Sequence, residues 1–282
     1  MTVIFTGRKF ANNKTKKLKI LAGNWVKQKG RPPKVVFVLF DQNLQSELFV
    51  RIKIKVAKKI GIETETKKWA ALACRPEECI KRIQKLSKDS GVDGIVVQLP
   101  LPKKLIPCQK DILKAIGLPK DIDGLRDDSF FWPAVVKATR EIISHYDLLS
   151  KKEVAAVVGA KGWVGKHLVK MLKKQKAAKT PPGKILEIDL NTKNTLNDLK
   201  EVDLIISCAG QPGLIKAEFV KKGAAVLDLG MMVVEKKNGR ALKGDVDFAG
   251  VCQKAGFISP VPGGIGPVTA ACLFENLLTR PC

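Results

Sequence analysis

Histidine is nearly missing from this chain: only His145 and His167 occur in 282 residues. The seven cysteines are scattered, and the pair Cys74/Cys79 has no counterpart elsewhere, so the paired ligand spacing of a zinc site is lacking. No metal site is expected. An odd set of unframed thiols reads as reduced cysteines in a cytoplasmic protein. No apolar run approaches the length of a membrane span, and MTVIFTGRKF lacks the long apolar core of a signal peptide. Tyrosine occurs once, and aromatic and basic residues nowhere interleave as on a base-stacking surface, which argues against nucleic acid as a partner. Acidic residues are scarce as well: 27 Asp and Glu face 51 Lys and Arg, leaving a net charge of +24. The lysines spread along nearly every expected helix. That is the pattern of solvated basic faces, with a general attraction for acidic ligands.

What is present suffices for two moderate α/β domains with real cores. A helix is expected over Ala11–Gln28, ending at Gly30. Lys34–Phe40 reads as a buried strand, Glu63–Ala73 as a weaker one, and Pro76–Ser90 as a basic amphipathic helix with proline at its start. Val92–Leu99 is a strand running straight into a proline-rich turn. Strand, helix, strand, helix, strand is the order of a parallel layer, whose ligands collect at the carboxyl ends of its strands. Gln98 and Leu99 fall at such an end.

The helix within this layer, Ser46–Ile62, carries the most telling residue. Ser46 suits the N-cap, Lys58 and Lys59 the last turn, and Gly61 the exit. Phe49, Val56 and Ile60 fall within roughly 20° of one line, and Lys53 lies about 40° from Phe49 on the same face. A lysine held in an apolar stripe loses solvation, which favours the neutral amine and suits proton exchange; the alternative is a side chain that snorkels to water. Further along, Pro119–Gly124 holds Asp121 and Asp123 in a loop, readable as an Asx turn or as part of a site.

The second half opens with the buried strand Val154–Val158 and the turn Gly159, Gly162, Gly165 ahead of a helix from Trp163. A glycine turn between strand and helix lets backbone amides receive a phosphate, although this spacing is not the usual dinucleotide fingerprint. Strands follow at Ile185–Leu190, Asp203–Cys208 and Ala224–Leu229, the last two leading into Ala209-Gly210 and Gly230. This describes a Rossmann-like sheet, with Asp189 where an acidic side chain can bind a ribose diol. Ser259–Thr269 is a loop of prolines and glycines with the character of a binding loop.

Taken together, Ser46-x-x-Phe49-Val50-x-x-Lys53-x-Lys55, the run Asp93 to Pro102 (DGIVVQLPLP), Pro119–Gly124 (PKDIDG), Gly159 to Gly165, Gly223 to Gly230, Gly244-Asp245-Val246-Asp247 and Pro260–Thr269 (PVPGGIGPVT) resemble the bifunctional methylenetetrahydrofolate dehydrogenase/methenyltetrahydrofolate cyclohydrolase family over essentially the whole chain. The resemblance implies two α/β domains with a cleft between them. Residues 1–137 plus 265–282 would form the folate-binding catalytic domain, and 138–264 the Rossmann-like NAD(P)-binding domain, through which the family is usually dimeric. It implies oxidation of methylene-tetrahydrofolate to the methenyl form with NAD or NADP, then hydrolysis to formyl-tetrahydrofolate. By family position Lys53, Gln98 and Asp123 are catalytic: Lys53 moves the proton, Gln98 contacts it, and Asp123 binds the pterin edge. Phe49, Leu99, Pro262, Gly263 and Gly264 join them in holding folate. Gly159, Ala160, Lys161, Gly162, Val164 and Gly165 would cradle the dinucleotide, with Asp189, Lys193, Ala209, Gly210 and Gly230.

Departures from the family pattern are informative. Phe49 replaces the usual tyrosine, removing a hydroxyl near the lysine. The usual P-C-T-P-x-G segment is Pro133 to Ala138 here, without its polar side chains. The usual G-R-S is Gly159-Ala160-Lys161, and the usual H-S-x-T aligns with Leu190 to Lys193, so side chains that commonly hold the NADP phosphate are gone. Lys161 and Lys193 can stand in as point charges, whereas Asp189 favours NAD; cofactor choice stays open. Two alternatives stand beside the bifunctional enzyme: a cyclohydrolase with weak or lost dehydrogenase activity, and a non-catalytic basic binding protein. The basic surface also suits an acidic, polyglutamylated folate. In a binding titration, apparent affinity for the polyglutamate should fall as salt rises, while that for the monoglutamate stays nearly constant.

Overall fold

The computed structural model describes residues 1–40, 44–70, 75–149, 154–174, 182–189, 195–236 and 239–280. The chain opens with β1 (Val3–Ile4) and α1 (Gly7–Lys29), then β2 (Lys34–Phe40), α2 (Leu44–Ile60), β3 (Glu63–Trp69), α3 (Pro76–Lys88), β4 (Gly94–Val97) and α4 (Gln109–Lys114). After α5 (Ala134–His145) come β5 (Val154–Val158), α6 (Trp163–Lys174), β6 (Lys184–Ile188), β7 (Leu204–Ser207) and β8 (Ala225–Asp228). The strands β9 (Met232–Lys236) and β10 (Gly239–Lys243), α7 (Phe248–Cys252), β11 (Phe257–Ile258) and α8 (Ile265–Leu278) complete it. Two compact units result, one of Ala11–Ala134 with Thr269–Cys282, the other of Met1–Phe10 with Val135–Val268. Among the described residues, no helix is long and apolar enough to cross a membrane.

The unit of Ala11–Ala134 is built on a parallel sheet ordered β3-β2-β4. Central β2 is buried from Val35 to Phe40, as a strand covered on both faces must be. Proline opens α3, glutamates occupy its first turn and lysines its last, in keeping with the helix dipole. Gly61 (φ +91°) ends α2, its amide and that of Ile62 both donating to Ala57 O at 3.0 Å, a glycine C-cap as expected. The start of α2 differs from expectation. The helix begins at Leu44, so Ser46 lies buried inside it and is not its cap. The thiols also differ: Cys79 is disulfide-bonded, while Cys108, Cys208 and Cys252 are free thiols.

The other unit carries a six-stranded parallel sheet ordered β1-β11-β8-β7-β5-β6, beside a β9–β10 hairpin. The order reverses beside β5, with β6 on one side and β7 then β8 on the other, which creates a topological switch point at the strands' carboxyl ends. Its N-terminal boundary departs from the division expected at residue 137. Met1–Phe10 belong here because β1 pairs with β11, Val3 opposite Phe257 and Ile4 opposite Ile258. Phe5 anchors the segment, 1% exposed, with its ring against Phe10, Tyr146 and Phe257. Strands of two residues are too short to show a hydrophobic period, so both β1 and β11 escape a pattern search.

Gly7, which starts α1, touches the 260–264 loop directly. A Cβ there would lie 1.7 Å from Gly264 O and 2.8 Å from Gly263 O, both backbone atoms. Gly7→Ala should therefore lose about 2 kcal/mol or more of stability. Gly23, in the same helix with nothing within 4 Å, gives the opposite sign: Gly23→Ala should gain roughly 0.5–1 kcal/mol. Thermal melting of the two variants side by side checks both.

Candidate active site

The buried positions of α2 are Ser46, Val50, Lys53, Ala57 and Ile60. They alternate steps of four and three, so Lys53 sits at the centre of the buried stripe, with Phe49 and Val56 half-buried on its flank. Sequence reasoning had the stripe running through Phe49, with Lys53 off its axis. Lys53 does not snorkel. It is 8% exposed, and its Nζ donates to Asp123 Oδ2 at 3.0 Å and to Gln98 Oε1 at 3.2 Å. A buried ammonium survives only with a countercharge and further acceptors, and these two residues supply both.

Each partner is itself held. Gln98 directly follows β4, its backbone amide donating to Val38 O at 2.9 Å. Its side-chain Nε2 donates to Leu99 O at 2.9 Å, which turns the amide oxygen towards the lysine. Asp123 stands in the loop closed by Asp121. Wholly buried, Asp121 accepts the backbone amides of Leu125 at 2.9 Å and Arg126 at 3.0 Å. Burial raises its carboxyl above the usual range, against the pull of those two amides. Asn276 of α8, also fully buried, donates to Ile122 O at 2.9 Å. Gly124 (φ +66°) passes so close that a Cβ would lie 2.7 Å from the Trp132 backbone. The loop is not a simple Asx turn: Asp121 closes it through amides four and five residues on, and Asp123 faces the lysine. Sequence reasoning assigned no role to Asn276, whose bond goes to a backbone carbonyl. Phe49 sits one turn before Lys53 on α2. Leu99, half-buried, precedes a cis peptide to Pro100.

The remaining expected site residues fold with the other unit. Pro262 is exposed after a cis peptide from Val261, Gly263 has φ +108°, and Gly264 donates to Pro260 O at 2.9 Å. Gly159, Ala160, Lys161 and Gly162 form the turn from β5 into α6, and Val164 and Gly165 lie in the first turn of that helix. A Cβ on Gly165 would meet Gly159 O at 2.1 Å, and one on Gly159 would meet the Ala209 backbone at 2.9 Å. These glycines let the turn pack onto both α6 and the end of β7. At Gly210 (φ +67°) the space where a Cβ would stand is open. A helix N-terminus beyond a tight turn at a switch point fits a pyrophosphate. Lys193 lies outside the described residues.

A carboxylate pair that sequence reasoning left without a role braces this edge. Asp245 accepts Ser207 Oγ (2.7 Å) and the amides of Ala209 (2.7 Å) and Gln211 (2.8 Å). Asp228 accepts the amides of Gly230 (2.9 Å), Asp245 (3.1 Å) and Val246 (3.0 Å). A Cβ on Gly230 would lie 2.1 Å from Asp245 Oδ1, and one on Gly244 would lie 2.0 Å from Asp228 Oδ2, so the carboxylates occupy space that only glycine leaves. Burial pushes the Asp228 carboxyl up to about 7, the Asp245 charge adding to it. Burial also pushes the Cys208 thiol up to about 12, and it donates weakly to Val158 O at 3.4 Å. That thiol packs and does not attack.

A parallel sheet with a glycine turn at its switch point, joined in one chain to a second α/β unit that buries a lysine against a carboxylate and an amide, defines a two-domain α/β enzyme of the nicotinamide-dinucleotide class. Two family models match in succession: tetrahydrofolate dehydrogenase/cyclohydrolase, catalytic domain, over residues 5–123, and the NAD(P)-binding domain of the same name over residues 133–281. The chain belongs to the tetrahydrofolate dehydrogenase/cyclohydrolase family. It is 36% identical over 262 residues to the Bifunctional protein FolD of Staphylococcus aureus (strain Newman), covering 90% of this chain and 87% of that one. A Trypanosoma brucei methylenetetrahydrofolate dehydrogenase-cyclohydrolase complexed with NADP and inhibitor superposes with a TM-score of 0.85 at 28% identity, covering 99% of this chain and 96% of that one. The bifunctional FolD enzyme of Campylobacter jejuni gives 0.82 at 28% identity, over 99% and 98%.

The Asp228 shift has a consequence for stability. Between about pH 4 and about pH 7 the folded chain holds a proton that the unfolded chain has released, so this group's contribution declines as pH rises, by at most about 1.4 kcal/mol per pH unit. Asp228→Asn, which cannot titrate, should melt lower overall but lose less between pH 5 and pH 7 than the parent. Melting curves across that range test it.

Proposed function

We propose that this chain oxidises methylene-tetrahydrofolate to methenyl-tetrahydrofolate with a nicotinamide dinucleotide and hydrolyses the methenyl form to formyl-tetrahydrofolate. The observation that carries the reading is Lys53 Nζ, buried, within 3.2 Å of Gln98 Oε1 and 3.0 Å of Asp123 Oδ2.

A bound dinucleotide supplies the hydride acceptor, held by the α6 N-terminal turn and the loops after β7 and β8. For that step the protein's work is juxtaposition and exclusion of water. The hydrolysis draws on the lysine. Water adds to the electron-poor methenyl carbon, and Lys53, once it has given its ammonium proton to solvent, takes the proton that the water sheds. The lysine then returns a proton to the departing nitrogen as the carbon–nitrogen bond breaks, and the hydroxyl proton passes to solvent as the formyl carbonyl forms. Asp123 is the carboxylate suited to the N–H donors of a pterin edge. Substrate that engages it loosens the ion pair and leaves Lys53 on the neutral Gln98 oxygen. Phe49 offers its ring to the aminobenzoyl group, with Leu99 beside it. A homodimer in the cytoplasm, with a polyglutamylated substrate, completes the reading.

One observation favours a narrower activity. Ala134, fully buried, and Val135 open α5 where relatives are expected to place polar side chains near the nicotinamide, which points to a cyclohydrolase with weakened dehydrogenase activity. Reduction of NAD and NADP measured in parallel decides between them: efficient turnover with either cofactor rejects the narrower reading. For the hydrolysis, decay of methenyl-tetrahydrofolate absorbance should be faster with the protein, and Lys53→Met should slow the enzymatic part by about 10²–10⁴-fold. Equal decay with both proteins would sink the cyclohydrolase assignment. Asp123→Asn should raise KM for folate more than it lowers kcat.

A further inference from the structure

The end of β6 is bonded to the glycine turn one residue after another. Ile188 O accepts the amides of Gly159 at 2.8 Å and Ala160 at 3.3 Å, and the next residue, Asp189, accepts the amide of Lys161 on its Oδ2 at 2.9 Å. Three successive amides of the turn are thereby tied to two successive residues of the strand. The carboxylate of Asp189 is half-buried, and its bond to the Lys161 amide holds one oxygen against the turn.

This position has a chemical meaning within the dinucleotide reading, on which the inference rests. In a doubly wound sheet, the strand that follows the glycine turn and its helix ends beside the adenosine ribose. A carboxylate there accepts hydrogen bonds from a ribose diol, and charge-assisted bonds are the strong ones. The same carboxylate meets a 2′-phosphate as one anion meets another. Lys161 supplies the opposing influence. Its side chain is exposed, so its attraction for a phosphate is screened by salt, whereas the half-buried carboxylate is screened less. The repulsive group is the better placed and the better fixed of the two.

We propose that Asp189 determines cofactor specificity, making the site selective for the dinucleotide with a free adenosine 2′-hydroxyl, NAD, over its 2′-phosphorylated form, NADP. The glycine turn enforces this choice through the Lys161 amide.

Isothermal titration of the full chain with NAD and with NADP, without folate, tests it. NAD should bind at least about tenfold tighter than NADP, the scale of one charge-assisted hydrogen bond. Asp189→Asn retains an acceptor for the Lys161 amide while removing the charge, and should narrow that ratio by about tenfold, with NADP binding strengthened. Asp189→Ser should narrow it further by weakening NAD. Melting temperatures near the parent's establish that the variants are folded. NADP binding as tightly as NAD to the parent chain, or a ratio unchanged in a folded Asp189→Asn variant, overturns the inference and leaves the dinucleotide site standing. Binding of neither cofactor overturns the dinucleotide reading and this inference with it.

Discussion

An ammonium group withdrawn from water is the most demanding feature of the Ala11–Ala134 unit, and much of that unit's construction answers it. Lys53 occupies the middle of a buried helical stripe, where an unpaired charge is prohibitively unfavourable. Its partners come from two different elements, the end of β4 and the loop after Lys120, and each needs its own support. The Leu99 carbonyl orients Gln98, while Asp121, Asn276 and the close passage of Gly124 shape the loop that presents Asp123. A chain of backbone bonds therefore ends in one side-chain nitrogen. Such preorganisation is what a proton-transfer site requires, because groups already in place need no rearrangement as the reaction proceeds.

The dinucleotide unit solves a related problem with the opposite sign. Two carboxylates, Asp228 and Asp245, lie side by side beneath the loops after β7 and β8, and each is fed by backbone amides. Side chains that accept from amides serve as internal struts for loops that have no strand or helix to hold them. Glycine at 230 and 244 is the condition for the close approach. The loops so braced are those whose backbone would face a bound dinucleotide.

The large apolar strands were legible without coordinates. β2, β4, β5, β7 and β8 are continuous hydrophobic runs because parallel sheets are covered on both faces. Lys53 was legible because a charge in an apolar stripe conflicts with its surroundings. The exact stripe was not, since Phe49 and Val56 look as apolar as Val50 and Ala57, and only packing decides which face turns inward. β1 and β11 were missed for want of length, and the β9–β10 hairpin for want of a clear alternating pattern. Asp245 and Asn276 were missed for another reason. Most of their partners are backbone amides and carbonyls, so no spacing of side-chain types marks them. Gly244-Asp245-Val246-Asp247 was noticed as a string, yet nothing in it says that one aspartate would brace the end of β7.

The pairing of β1 with β11 also bears on how the protein is made. Val3 pairs with Phe257, far along the chain from it. The six-stranded sheet cannot close its edge until Phe257 has been synthesised, and the unit of Ala11–Ala134 likewise waits for Thr269–Cys282. Neither unit can finish folding while the chain is still short. Until Phe257 has been made, the nascent protein holds an open sheet edge, at the stage when unpaired strands are prone to wrong partners. A circular permutant that places Met1–Phe10 after the Val135–Val268 segment would turn this long-range closure into a local one.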